Sequence, residues 1–259
     1  MDIKTNYLIA ITIILSLLLT TGCSDSSSSV ADSCNISLPS ELAPVMFENT
    51  YFQNQNIPFE EQYTTYLEVQ SIATVATSLM SNMGPLGIGS SYLMFIQSLG
   101  INPTVNGNSC NWSFTVPSGS EGGGGSINII GNPANNGINW EMNLQETGTS
   151  TTIPVLRGFT ATDNRLGEWR MYDESSPNNP AMVYTWQIES QNVYSITVSG
   201  NNNNGLPTIN YMKNGAENNL TSQQGSEEIK AYWNESTNSG WIEDEDGRRC
   251  YTNFVNSAC

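Results

Sequence analysis

From Cys110 onward, apolar residues recur at every second position, and this constrains the fold more than any other feature of the chain. Trp112, Phe114 and Val116 alternate with polar residues, as do Trp140, Met142 and Leu144, then Trp169 and Met171, then Tyr184, Trp186 and Ile188, then Tyr194, Ile196 and Val198. Successive side chains of a strand point to opposite faces, so each of these segments has one apolar face. Weaker versions follow at Ile209 and Tyr211, at Ile229, Ala231 and Trp233, and around Trp241 and Tyr251. The turn dipeptides Asn136-Gly137, Asn204-Gly205, Asn214-Gly215 and Asp246-Gly247 separate the segments as hairpins require. The pattern predicts a mainly β (α+β) protein built on an antiparallel sheet of about ten short strands. A twisted sheet of that width rarely stays open and flat, so closure as a barrel, half-barrel or two-layer sandwich is expected.

Ahead of the strands the period changes to 3.6 residues. Phe59, Tyr63, Tyr66, Val69, Ala73, Ala76, Met80 and Met83 fall on one helical stripe; Pro58, Glu60 and Glu61 suit its first turn, and Gly84-Pro85 ends it. A shorter helix is predicted from Ser90 to Leu99, capped by Ser90 and stopped by Gly100. This helical segment, 59–99, would cover the open face of the sheet or plug one end. No linker divides residues 34–259, which read as a single domain.

The start of the chain has a different logic. Lys4 precedes an apolar stretch from Tyr7 to Leu19, which is followed by the small residues Thr20, Thr21 and Gly22 and then by Cys23. A membrane-spanning helix needs about 20 apolar residues and this run is shorter, so residues 1–22 read as a cleavable export signal. The run Leu19-Thr20-Thr21-Gly22-Cys23 resembles, in relaxed form, the lipobox of bacterial lipoprotein precursors. That resemblance implies that Cys23 becomes the lipidated N-terminus. Three acyl chains would then hold the protein in a membrane with negligible release, since each buried CH₂ contributes about 0.8 kcal/mol. Residues 23–33, rich in Ser, form the tether behind the acylated cysteine. Ser24, where Asp would commonly signal inner-membrane retention, points to the outer membrane. The expected location is the cell envelope, with the membrane as partner through Cys23.

Four further cysteines, Cys34, Cys110, Cys250 and Cys259, are an even number in an exported chain and predict disulfides. Proximity along the chain favours Cys34–Cys110 and Cys250–Cys259 among the three connectivities. Chain entropy gives them about 4.5 and about 2.7 kcal/mol. With no CxxC pair and no histidine, neither a metal site nor a cofactor is expected.

The formal net charge of −16 works against nucleic acid and anionic lipid headgroups as ligands. The absence of histidine excludes Ser-His-Asp and Cys-His catalysis and most zinc hydrolases. A glycosidase needs only two carboxylates, for which Glu141, Glu146, Glu168, Asp173 and Glu189 are available, but nothing singles out a pair. The run Glu243-Asp244-Glu245-Asp246 reads as a hairpin tip rather than a calcium loop, and Gly122 to Gly125 lacks the Lys and helix of a phosphate loop. Among six tryptophans, Trp140, Trp169, Trp186 and Trp233 are the candidate ligand-binding residues, as a stacking platform or a cavity lining; the competing reading is cross-strand packing. The chain thus reads as a non-catalytic binding domain for an apolar or lipid-like ligand. The alternatives are a surface module for glycan or protein and, behind it, a carboxylate-based glycoside hydrolase.

Overall fold

A computed structural model describes residues 34–39, 42–44, 47, 49–81, 89, 93–94, 96–116, 124–149, 151–173, 176–201 and 205–259. The described residues belong to one compact unit, Ser33–Cys259. The strands are β1 (Thr104–Asn106), β2 (Ser109–Val116), β3 (Gly125–Ala134), β4 (Gly137–Glu146) and β5 (Thr152–Ala161). They continue with β6 (Leu166–Met171), β7 (Met182–Ser190), β8 (Val193–Gly200), β9 (Thr208–Asn214) and β10 (Glu217–Gln224). The last are β11 (Glu227–Asn234), β12 (Ser239–Asp244), β13 (Gly247–Thr252) and β14 (Val255–Ser257). All 14 form one antiparallel sheet whose spatial order is the order of the chain, with β1 and β14 at its edges.

The sheet is therefore a single open layer, and the closed barrel and the sandwich anticipated from strand number are not formed. The N-terminal segment supplies what closure would have supplied: Leu42, Ala43, Phe47, Phe52, Tyr66, Val69, Ala73, Leu93 and Ile96 join the same buried core as the inner side of the sheet. Both edge strands are only three residues long, which limits the unpaired backbone that an edge exposes.

Register aligns the apolar phase of every strand. Gly131, Trp140, Gly158, Trp169, Tyr184, Val198 and Ile209 follow one another as direct partners from β3 to β9. A second row carries Gly167, Trp186, Ile196, Tyr211, Leu220, Ala231 and Ile242 from β6 to β12. Glycines face rings along these rows. A Cβ at Gly131 would meet Trp140, one at Gly158 would meet Trp169, one at Gly167 would meet Trp186, and one at Gly240 would meet Tyr251. Each ring lies flat over a neighbouring strand that has no side chain in the way, so the large indoles fit within one layer.

Helix α1 (Thr50–Gln53) is short and buries Phe52. Helix α2 (Thr64–Ser81) follows a turn of 3₁₀ helix at Glu61–Tyr63 and packs on β11–β14. Seven of its 18 residues are Thr, Val or Ile, which lose side-chain freedom in a helix, so tertiary contacts hold it in place. Tyr66, Val69, Ala73, Ala76 and Met80 are its buried stripe. Its start is capped from across the fold: Asn256 Oδ1 accepts the Thr65 amide at 3.0 Å, and Asn256 Nδ2 donates to the Glu61 carbonyl at 2.8 Å. The helix predicted from Phe59 thus begins later, and Phe59 is 94% exposed rather than part of the core stripe. Of the second predicted helix, Leu93, Met94 and 96–98 are helical. Met83 and Gly84-Pro85 lie outside the described residues.

The disulfides are Cys34–Cys110 and Cys250–Cys259. The first fastens the N-terminal segment to β2 and closes a loop with a sequence separation of 76. Replacing Cys34 and Cys110 by Ser together is expected to cost about 4 kcal/mol, within the range of about 2–5 seen when native disulfides are removed, measured as a fall in the urea midpoint with a steeper slope from the less compact unfolded chain.

Candidate functional site

The structure buries all four candidate tryptophans on the inner side of the sheet. Trp140, Trp169, Trp186 and Trp233 are 3%, 2%, 2% and 1% exposed. The Nε1 of Trp140 donates to Thr160 Oγ1 at 2.9 Å, that of Trp169 to the Leu42 carbonyl at 2.7 Å, and that of Trp186 to the Asn164 carbonyl at 3.0 Å. Trp233 stacks on Tyr211 at 6.1 Å and meets Phe52 at 5.2 Å. These rings are packing elements between strands, and no face of theirs is open to a ligand from solvent. Cys23 lies outside the described residues.

The reachable aromatic pair is on the other side. Tyr232 on β11 and Trp241 on β12 are register partners in the polar phase of their strands, half-buried, with rings stacked at 6.0 Å and 18°. The Arg248 guanidinium sits 4.1 Å over the indole, and its Nε donates to Glu243 Oε2 at 2.7 Å. Cys250 is the register partner of Trp241 on β13, so the C-terminal disulfide borders the pair. The same outer row runs back through Asn219, Met212, Ser195 and Gln187 to Leu166, with Met212 and Leu166 about half exposed.

Beside this pair a cleft of about 570 Å³ opens between the tips of the β10–β11 and β12–β13 hairpins, lined by Ser226 to Lys230 and Glu243 to Asp246. Glu228 pairs with Lys230 at 2.7 Å, and Asp244 accepts from Arg249 Nη1 and Nη2 at 2.9 and 2.7 Å. The Arg249 guanidinium holds the Asp244 carboxyl below the usual carboxylate range. Asp244 Oδ1 also accepts the Asp246 amide at 3.0 Å, which makes this run a hairpin tip. Glu227, Glu245 and Asp246 make no ion pair among the described residues, so the cleft keeps a negative field. Among the described residues no three acidic or thiol side chains converge as a metal site.

The carboxylates considered for glycoside hydrolysis lie on or next to β4, β6 and β7. Glu141 on β4 faces Arg157 on β5, Glu168 on β6 pairs with Arg170 at 2.6 Å, and Glu189 is exposed near the end of β7. Glu146 ends β4 and Asp173 follows β6. Sequence reasoning did not single out Tyr232, Trp241 or Arg248 as a site. The available signal was an aromatic residue in the polar phase of an amphipathic strand, next to Ala231, Trp233 and Ile242 in the apolar one.

Fold and surface together define a class: a single-sheet antiparallel meander covered on one side by its own N-terminal helical layer. No family model, no curated protein and no solved structure matches the chain.

Proposed function

We propose that this chain is a lipid-anchored bacterial envelope protein, held at the outer membrane through acylated Cys23, whose β-rich domain binds without catalysis through its outer surface. The lipobox resemblance supports the anchor. The observation that carries the surface mode is the division of aromatics. Five tryptophans and the side chains of the N-terminal segment fill the inner side, while Tyr232 and Trp241 remain accessible outside, between polar partners and an acidic cleft. Half-exposed stacked rings with carboxylate and guanidinium groups at their rim suit a glycan or a protein surface better than an enclosed lipid.

Intact mass spectrometry of detergent-extracted protein tests the anchor. The expected mature mass begins at Cys23, carries acyl chains and gains four hydrogens on reduction of the two disulfides; the acyl mass disappears in Cys23→Ala. An unlipidated mass beginning elsewhere overturns the anchor. For the surface mode, retention on immobilised envelope polysaccharide or partner protein should be lost in Trp241→Ala at unchanged far-ultraviolet circular dichroism. Retention that ignores Trp241 while a hydrophobic probe shifts the buried tryptophan emission returns the enclosed apolar ligand.

A further inference from the structure

We infer that Cys250–Cys259 is a thiol-exchange site: an external dithiol reduces it while Cys34–Cys110 stays closed, and the reduction releases β14 and with it the cap on α2. The two disulfides differ first in access. Cys259 is exposed, and Cys250 is half-buried on the outer side of the sheet as the register partner of Trp241. Cys110, by contrast, is 2% exposed and belongs to the core, against which Cys34 packs. Exchange needs a sulfur that a thiolate can reach, so it begins at Cys259. The reductant's thiolate bonds to the Cys259 sulfur as the bond to Cys250 breaks, and Cys250 leaves as a thiolate that takes up a proton. The reductant's second sulfur then displaces Cys259 from the mixed disulfide. The protein gains two electrons and two protons, and the dithiol becomes a disulfide.

The hairpin that this bond closes is strained. Strands β13 and β14 are joined by Asn253 and Phe254, whose φ angles of 50° and 69° are those of a two-residue primed turn. Asparagine tolerates that conformation, but the Cβ of phenylalanine disfavours it; every other non-glycine residue with positive φ among the described residues is an asparagine. The turn is held by the Phe254 amide, which donates to the Asn238 carbonyl at 3.3 Å, and by the Phe254 ring, which meets Tyr66 edge-on at 5.1 Å. Strand β14 adds only three paired residues, all exposed, at the edge of the sheet. The disulfide is the covalent part of this fastening, and with a sequence separation of 9 its loss frees just the segment that carries β14.

Asn256, in the middle of β14, joins the hairpin to the helix. Its Oδ1 accepts the Thr65 amide, one of the donors that a helix leaves open at its start, and its Nδ2 donates to the Glu61 carbonyl. When β14 leaves the sheet edge, both bonds go with it, and Phe254 withdraws from Tyr66. An accessible pair of sulfurs on the outer side of the sheet thereby governs the order of a helix start on the inner side.

The test reduces the full-length wild-type protein in native buffer with a series of dithiothreitol concentrations, alkylates it with iodoacetamide and maps the labels by peptide mass, with hydrogen exchange followed on the same samples. The expected first product gains label on Cys250 and Cys259 and none on Cys34 or Cys110. In that product the amides of 61–66 should exchange about fivefold faster, while those of β2 to β12 are unchanged. Oxidised Asn256→Ala should reproduce the acceleration without reductant. Label that arrives on all four cysteines together, or on Cys34 and Cys110 first, overturns the exchange site. Label confined to Cys250 and Cys259 with unchanged exchange at 61–66, or an Asn256→Ala protein that exchanges there like wild type, overturns the hold of this disulfide on α2.

Discussion

Raising the pH past about 10 is expected to unfold the domain in one cooperative step rather than to titrate its tyrosines one by one. Tyr66, Tyr184 and Tyr251 are at most 1% exposed, and burial pushes all three phenols well above their ordinary value; half-buried Tyr51 is pushed up to about 12. The Tyr66 hydroxyl has no hydrogen-bond partner among the described residues, so nothing there would stabilise a phenolate. The sign follows from proton counts. Between the unfolded value near 10 and the raised folded values, the unfolded chain has released protons that the folded chain keeps, so stability falls as pH rises. Three such groups remove about 4 kcal/mol per pH unit, against a total of about 5–15 kcal/mol, so unfolding should be complete within a few units. Phenolate absorbance and near-ultraviolet circular dichroism should change together. Smooth ionisation of every tyrosine of the domain near pH 10 with the circular dichroism intact would contradict this burial. Tyr66→Phe should shift the midpoint upward.

Gly167 and Trp186 are expected to behave as one unit. Trp186→Ala should cost about 3–5 kcal/mol, since it empties a fully buried site and removes the donor to the Asn164 carbonyl. Gly167→Ala should cost about 1–3 kcal/mol, because its Cβ runs into the indole. Combined, the changes should cost clearly less than their sum, as the new methyl occupies space the ring has left. Denaturant midpoints of the four proteins in this cycle measure the coupling. Strict additivity would mean that the ring does not lie over the glycine.

These glycine and aromatic partners also explain what the sequence made legible and what it concealed. Strands with two or more large apolar residues in phase, such as β2, β4, β7 and β8, could be read directly. Strand β10 could not: its buried positions are Asn218 and Leu220, and Asn218 belongs inside because Tyr211 donates to its Oδ1 at 2.6 Å while its Nδ2 donates to Glu235 at 3.0 Å. Strand β5 was hidden by Pro154, which sits at a register shift against β4, and by Gly158, whose partner is a ring on the next strand. Openness of the sheet was not legible either, because periodicity gives the apolar face of a strand and not what covers it. Both disulfides followed from spacing along the chain. The tryptophans were visible as residues, yet their role depended on cross-strand partners, and only Trp241 lies in the outer phase.

The contact between α2 and β14 orders assembly in time. In a pure meander every strand pairs with one made just before it, so the sheet can grow hairpin by hairpin as the chain is made N-terminus first. Helix α2 emerges before any strand, but the Asn256 side chain that meets the Thr65 amide lies 191 residues later. Until β11–β14 exist, α2 has no strand to pack on. The last hairpin is therefore a latch for the helix: a chain stopped short of it would lose the Asn256 contacts that hold the start of α2.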